Sequence, residues 1–398
     1  MVARRITVKL PQPIARPHAD LLALAGFLIV APFVGPTLTF GWRVSERLRS
    51  LLATYGVSEP RRIVAKDFVA PRARPDAGRP GLAFSGGVDS LAAAALLPEA
   101  LLVHVQRARL IGGIFHPAAK SEGGRVAVEA MLSRGWGAFS CPSDLEFVRR
   151  PPGFADHMAC AVPLILLADA HRLDASVYGT VAEAAYRFGT DRYVDAGSRG
   201  ALTRIFDLFE AVGLPCIMPF LGVSEVGTHT VLRASGLEPL ASSCSHGAAK
   251  ACGVCQKCFR KSVTQAALGD PWPSSDRLDA ILKDPQVREH LAAAPIRLEN
   301  VFSFAMARYD GADPRLLALK RRVRGGEVDL DWMRRLIPGS LDHVPGDYRP
   351  RLEAALRNHL GEMSSQDVSA MRGWSSRSFI ESPDGRLRHQ TFVDEVGL

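Results

Sequence analysis

"LAFSGGVDSLAAAALL", residues 82–97, is the stretch whose reading decides the fold. The apolar run Gly81–Phe84 predicts a short buried strand, Ser85–Gly87 a turn, and Asp89–Leu97 a helix stopped by Pro98. Ala92–Ala95 supply strong helix propensity and a thin face for packing. Two adjacent glycines let the backbone bend without Cβ clashes and approach a ligand closely. The first turn of the helix that follows leaves N–H groups unpaired and carries the positive dipole end. Together with the hydroxyls of Ser85 and Ser90, these parts predict a seat for phosphates. A plain turn with a Ser or Asp cap is the alternative. No Gly-Lys-Ser/Thr ending is present and no GxGxxG follows this strand, which excludes the P-loop and the dinucleotide fingerprint.

Outward from the turn, strands and helices alternate. Leu101–Gln106 reads as a second strand, 125–134 as a helix and 137–141 as a strand. Residues 157–173 read as a long apolar helix, Ser176–Thr180 as a strand, 201–212 as a helix, 216–221 as an apolar run and 224–235 as a helix. This rhythm predicts an α/β fold, a doubly wound parallel sheet with helices on both faces and ligands at the carboxyl ends of its strands. In front of it, "ITVKL" within residues 1–11 alternates like a strand, and Arg43–Thr54 is an amphipathic helix. Residues 21–42 carry no charge and are long enough for a membrane span. Pro32, Gly35 and Pro36 interrupt them, so a buried helix ending near Pro32 is expected and no membrane contact. The run "PRARPDAGRP", residues 71–80, reads as a linker. Residues 276–360 read as helices split by Pro285, Pro295, Pro314 and Pro338, and 366–398 as a polar, poorly patterned tail. The expected organisation is an N-terminal extension (1–78), the α/β domain (79–270) and a helical C-terminal extension (271–398).

A chain of 398 residues suggests two or three domains. Its 47% apolar and 23% charged residues are those of an ordinary soluble globular protein. The net charge of +8 is carried mainly by arginine, whose planar fork suits phosphate. The densest basic run, Lys320–Arg324, is a weak footprint for nucleic acid, which is possible but not favoured as a partner. Seven cysteines, an odd number, argue against a disulfide framework. Cys244, Cys252, Cys255 and Cys258, spaced C-x7-C-x2-C-x2-C, predict a closed structural Zn²⁺ site, with Gly253 allowing a tight knuckle. An iron–sulfur cluster is the chemical rival, though no Cys-Pro closes the run. His246 could replace one thiolate. Cys141, Cys160 and Cys216 read as small buried hydrophobes. Thiol usage and the lack of a secretory leader point to the cytoplasm. Lys257, Arg260 and Lys261 flank the cysteines and read as solvated surface, with phosphate contact the alternative. His157 reads as a helix-end histidine. Tyr186, Arg187, Asp191, Arg192 and Tyr193 follow the Gly179 strand, where they are either a base-reading loop or a solvated one.

"SGGVDS" resembles the signature of the N-type ATP pyrophosphatases. Together with "CGVCQKC" and "PFLGVSEVGTHTVLRASGL" (219–237), it is similar to the 7-cyano-7-deazaguanine synthases (QueC) over about residues 80–265. The resemblance implies an ATP-pyrophosphatase type of sheet and an ATP-dependent ligase using ATP, Mg²⁺ and Zn²⁺. Ser85, Gly86, Gly87, Val88, Asp89 and Ser90 would hold the pyrophosphate, with Asp89 and Ser90 catalytic. His104 and Gly179 would lie against the nucleotide, and Glu183, Arg187 and Asp191 against the deazaguanine. "HVQRARLIGGIFHPAAK" and "GFADHMACAVP" depart from that family's pattern, which bears on substrate recognition more than on ATP chemistry. The long flanks resemble enlarged members of bacterial antiphage operons. There the carboxylate of 7-carboxy-7-deazaguanine is expected to be adenylated and passed to an amine of a partner protein. Ammonia as acceptor would give the nitrile after a second ATP-driven dehydration. A tRNA-modifying enzyme, with Cys141 and Cys216 as a loose thiol pair, and a non-enzymatic nucleotide-binding scaffold are the other readings.

Overall fold

A computed structural model describes residues 5–398 except 190, 196, 198, 199, 245, 247 and 248, and describes no side chain for 120 and 201. Short strands β1 (Thr37–Thr39) and β2 (Arg62–Val64) pair in parallel as a small separate sheet. The main sheet contains β3 (Arg79–Ala83), β4 (Leu101–Ile111), β5 (Ile114–Pro117), β6 (Ala138–Ser143), β7 (Leu173–Val177) and β8 (Cys216–Ile217). Five of these run parallel in the order β6-β4-β3-β7-β8. From β3 the chain winds outward through β4 and β6, then returns to β7 on the other side. The switch point therefore falls between β3 and β7, and ligands of such sheets collect at its carboxyl end.

The sheet is mixed, not purely parallel, because β5 turns back antiparallel on the far half of β4. Gly112 and Gly113, both at positive φ, make the two-residue turn between them. Phe84 N–H donates to Val103 O, and Ala118 N–H to Arg107 O. Carbonyls an even number of residues apart face the same edge of a strand, so β5 lies on the β3 side of β4. The hairpin thus overhangs the carboxyl end of β3.

Alternate strand residues feed two cores, as a sheet covered on both faces requires. Leu101, Val103 and Val105 of β4 join one cluster with the helix Ala19–Val30 and the short helix Val162–Leu167. Leu102 joins the other, with the helices Val88–Leu96, Glu225–Ala234 and Arg349–Leu360. A third cluster is built among the helices of 256–323 and sealed by Phe392.

Several expectations are corrected. Residues 6–10 form no strand; Val8 makes a lone bridge to Ser143. The run 71–80 is no free linker, because buried Arg72 pairs with Asp169 at 2.7 Å and donates to the carbonyls of Leu173, Val212 and Gly213. The long helix over 157–173 is instead a 3-10 turn, His157–Ala161, followed by Val162–Leu167 with Pro163 in its first turn. The polar tail is helical over Ser365–Gly373, Ser376–Ile380 and Pro383–Val396. The basic run Lys320–Arg324 presents little free charge: Arg322 is fully buried against Glu299 at 3.2 Å, Arg324 lies over the rings of Trp374 and Phe379, and exposed Arg321 pairs with Glu395. The N-terminal apolar helix spans twelve residues, and no helix among the described residues is long and apolar enough to cross a membrane.

Candidate functional site

The glycine turn is built by its own atoms. Gly86 adopts φ +73°, and a Cβ there would come within 2.8 Å of Ala127 Cβ, so both backbone conformation and space require glycine. Gly87 is the N-cap of the helix Val88–Leu96, and no side chain caps that helix. Among the described residues, eight other α-helices have a serine or aspartate in that role, among them Ser45, Ser224, Asp284 and Ser364, and seven others share the uncapped start. An uncapped first turn leaves its N–H groups available to an anion. Ser90 closes the turn: its buried hydroxyl donates to Gly87 O at 3.1 Å and accepts from Ser85 N–H at 3.3 Å. The Ser85 hydroxyl lies 3.0 Å from it and accepts from Gly87 N–H at 3.2 Å. Ser90 is therefore a staple within the loop and not an open donor. Ser85 is exposed.

A cavity of about 330 Å³ lies over this turn. Ser85, Gly87, His104, Arg107, Lys257 and Cys244 contribute to its wall. Thus Ser85, Gly87 and His104 of the expected nucleotide residues meet there with one of the four clustered cysteines. Arg107 is the seventh residue of β4 and projects from the ligand end of the sheet. Lys257 is exposed, as the surface reading expected, and it contributes to this cavity wall. His104 donates from Nδ1 to Phe84 O at 2.9 Å, which leaves Nε2 unprotonated and without a protein partner. Its burial lowers its pKa, so it enters the site as a neutral imidazole.

Val88 is buried in the second core. The Asp89 carboxylate turns toward the helix Glu225–Ala234, where it accepts from the Thr228 hydroxyl at 3.0 Å. Burial raises its pKa, opposed by the Lys261 ammonium. Gly179, two residues after β7, packs closely on the helix start: a Cβ there would lie 3.0 Å from the backbone of Asp89. Behind Thr228, Glu225 and Arg260 form a buried ion pair at 3.0 Å. His229 is buried beside them with neither ring nitrogen hydrogen-bonded, and its pKa is pushed down to about 3, chiefly by burial. Arg260 is consequently an interior charge, contrary to the solvated reading, and Lys261 is half-buried.

The three residues expected to read the base do not line the cavity. Glu183 is buried under the helix Glu225–Ala234 and accepts from Glu225 N–H at 3.0 and 3.1 Å and from Asn300 Nδ2 at 3.2 Å. Burial, reinforced by the Glu225 carboxylate, raises its pKa to about 8. Arg187 is exposed, at φ +63°. Asp191 accepts from Arg377 Nε at 2.9 Å, on the C-terminal helices. Tyr186 and Tyr193 stack on each other, with centroids 5.6 Å apart. His157 is exposed. Cys141 and Cys216 lie on the two outermost parallel strands, β6 and β8. Four strand spacings put them about 19 Å apart, so they form no thiol pair. Cys160, unlike them, reaches the cavity wall.

The sulfurs of Cys244, Cys252, Cys255 and Cys258 lie within 4.8 Å of one another, so the four can hold a metal ion. His246 is engaged elsewhere, 3.0 Å from Gln286 Oε1 and 3.2 Å from Asp284 Oδ2, which leaves the fourth position to Cys244. The segment before Cys244 covers the turn: Ser242 N–H donates to Gly86 O at 2.9 Å, and Ser243 packs on Gly87. Sequence reasoning missed Arg107, Ser242, Ser243 and Thr228. The position of Arg107 near the ligand end of a predicted strand was the available signal.

A family model described as a family of unknown function (DUF6395) matches residues 204–375. The match begins in a sheet-covering helix and ends in the C-terminal helices, across the boundary expected at residue 270. No curated protein and no solved structure matches the chain.

Proposed function

We propose that this chain is an ATP-dependent ligase that adenylates the carboxylate of a 7-deazaguanine and passes the acyl group to an amine of a partner polypeptide. The observation that carries the ATP part is the uncapped helix start at Gly87, at the sheet's switch point, opening into a cavity with Arg107 and Lys257 on its wall. The resemblance of "SGGVDS" and the cysteine run to the deazaguanine enzymes supports the base, and the long flanks support a polypeptide acceptor.

In this reading the N–H groups at the uncapped start of the helix Val88–Leu96 take the β- and γ-phosphates. A substrate carboxylate oxygen attacks the α-phosphorus and the bond to pyrophosphate breaks. The departing charge is met by donors already in place, which is where preorganised electrostatics lowers a barrier. The acceptor amine then attacks the acyl carbon, AMP leaves, and the amine's proton passes to solvent. Asp89 positions the turn through Thr228, and Mg²⁺ arrives with the nucleotide. The four cysteines suit Zn²⁺: tetrahedral Zn–S bonds of about 2.3 Å place sulfurs about 3.8 Å apart, and two of the S···S distances are 3.8 and 3.9 Å. Such a closed site is structural and supplies no water for chemistry.

The test is pyrophosphate release from MgATP with 7-carboxy-7-deazaguanine, for the wild type and Gly86→Val, with mass spectrometry of a co-expressed partner. Pyrophosphate above the variant's level, with a deazaguanine mass added to the partner, is expected. Equal rates in the two proteins refute the ligase, and an unmodified partner alongside a nitrile product moves the acceptor to ammonia.

A further inference from the structure

The cysteine cluster and the cavity share a wall, and that sharing has a thermodynamic consequence. Cys244 ends the segment whose Ser242 N–H bonds Gly86 O at 2.9 Å. In the same segment, Ser243 Oγ lies 2.9 Å from where a Cβ on Gly87 would be. From the other end of the knuckle, Cys255 caps the helix Gln256–Ala267 and Cys258 lies in its first turn. Lys257 stands between those two ligands and reaches the same cavity. One metal ion would therefore fix both the strap across the glycine turn and the cation facing it.

We propose that the four-cysteine metal site clamps the phosphate seat, so that metal occupancy and binding of a di- or triphosphate strengthen each other, with Lys257 as the residue that couples them. The proposal rests on the nucleotide reading above. It differs from a purely local structural role, in which the metal would stabilise its own loop and leave phosphate affinity unchanged. Coupling between two sites is reciprocal: a metal that tightens phosphate must itself be held more tightly when phosphate is bound.

The test uses the full chain loaded with zinc, and inorganic pyrophosphate and MgATP as probes. Calorimetry compares their affinities before and after chelation. A metallochromic dye follows metal loss to chelator with and without saturating pyrophosphate. The expected results are pyrophosphate affinity about tenfold weaker without metal, and metal release about tenfold slower with pyrophosphate, a typical coupling. Lys257→Gln should abolish the protection. Arg107→Gln should weaken affinity but keep the protection once saturated, because Arg107 stands on β4 and not on the knuckle. If chelation unfolds the chain, release kinetics on the loaded protein still decide. Equal protection in Lys257→Gln and wild type, or a chain that holds no metal, overturns the coupling and leaves the nucleotide reading standing. Failure of the loaded wild type to bind either probe overturns both.

Discussion

Glu183 should make the protein lose stability as pH rises from 4.5 to about 8, a window set by its burial. Its carboxyl accepts from Glu225 N–H and Asn300 Nδ2 but lies deep in the protein, near the Glu225 carboxylate. Burial raises its pKa from 4.5 to about 8. A raised carboxyl pKa means that the folded state holds its proton more tightly than the unfolded chain does. The contribution is therefore complete below pH 4.5, shrinks as pH rises and is gone above pH 8. It amounts at most to about 5 kcal/mol across that span. Three histidines act in the opposite sense. His229, titrating near 3, and His290 and His343, near 4, stay neutral when folded, so they cost stability as pH falls below 6.5. Glu183→Gln separates the two. The glutamine oxygen can still accept from Glu225 N–H. Its amide can donate to Asn300 Oδ1, which otherwise has no hydrogen-bond partner. Urea unfolding of both proteins from pH 5 to 9 should show the wild type losing several kcal/mol relative to the variant as pH rises. A difference that stays within about 1 kcal/mol across the range would refute the assignment, since one carboxyl buried in this way cannot be silent.

Four further outcomes follow from the same geometry. Gly86→Ala puts a Cβ at φ +73° and 2.8 Å from Ala127, and should cost about 2–4 kcal/mol by urea unfolding, with MgATP affinity falling alongside. Arg260→Met strands the buried Glu225 carboxylate and should cost about 3–5 kcal/mol, whereas Arg260→Met with Glu225→Gln should recover most of it, as melting temperatures will report. Cys252→Ser should purify with far less metal than the wild type's expected one ion per chain, measured by elemental analysis. A chain ending at residue 270 should lose cooperative unfolding, because it removes Leu352 and Leu356 from the second core and Asn300 from Glu183; a sharp calorimetric transition would contradict this.

The parts of the site that were legible in sequence are those whose causes are local. A strand, two glycines and an alanine-rich helix are contiguous, and the positive φ of Gly86 belongs to the turn itself, whereas the crowding by Ala127 comes from a distant helix. Three of the cysteines fall within one short turn. What stayed hidden depends on partners far along the chain. Arg72 looks like linker until Asp169 and the carbonyls near residue 213 close on it. Arg322 looks solvated because its partner, Glu299, belongs to another helix. The C-terminal helices read as a polar tail because each is held by few apolar anchors, Met371, Trp374, Ile380 and Phe392, too sparse to make a periodic stripe. Pro163 was visible, and its power to shorten the apolar segment was outweighed by the run of leucines around it.

The flanks bear on the acceptor in a way their length alone does not. Leu21, Leu24 and Phe27 of the N-terminal helix are fully buried on one face of the sheet. Leu352 and Leu356 are fully buried on the other. Much of the apolar surface added by both extensions is therefore already used in covering the sheet. Trp374 Nε1 donates to Phe188 O, and Arg377 pairs with Asp191, so the C-terminal helices also hold the segment after β7 that was expected to read the base. A polypeptide acceptor would then have to be recognised at the cavity rim. The β4–β5 hairpin leaves Ile111, on the strand that carries Arg107, and Ile114 of β5 exposed beside its glycine turn.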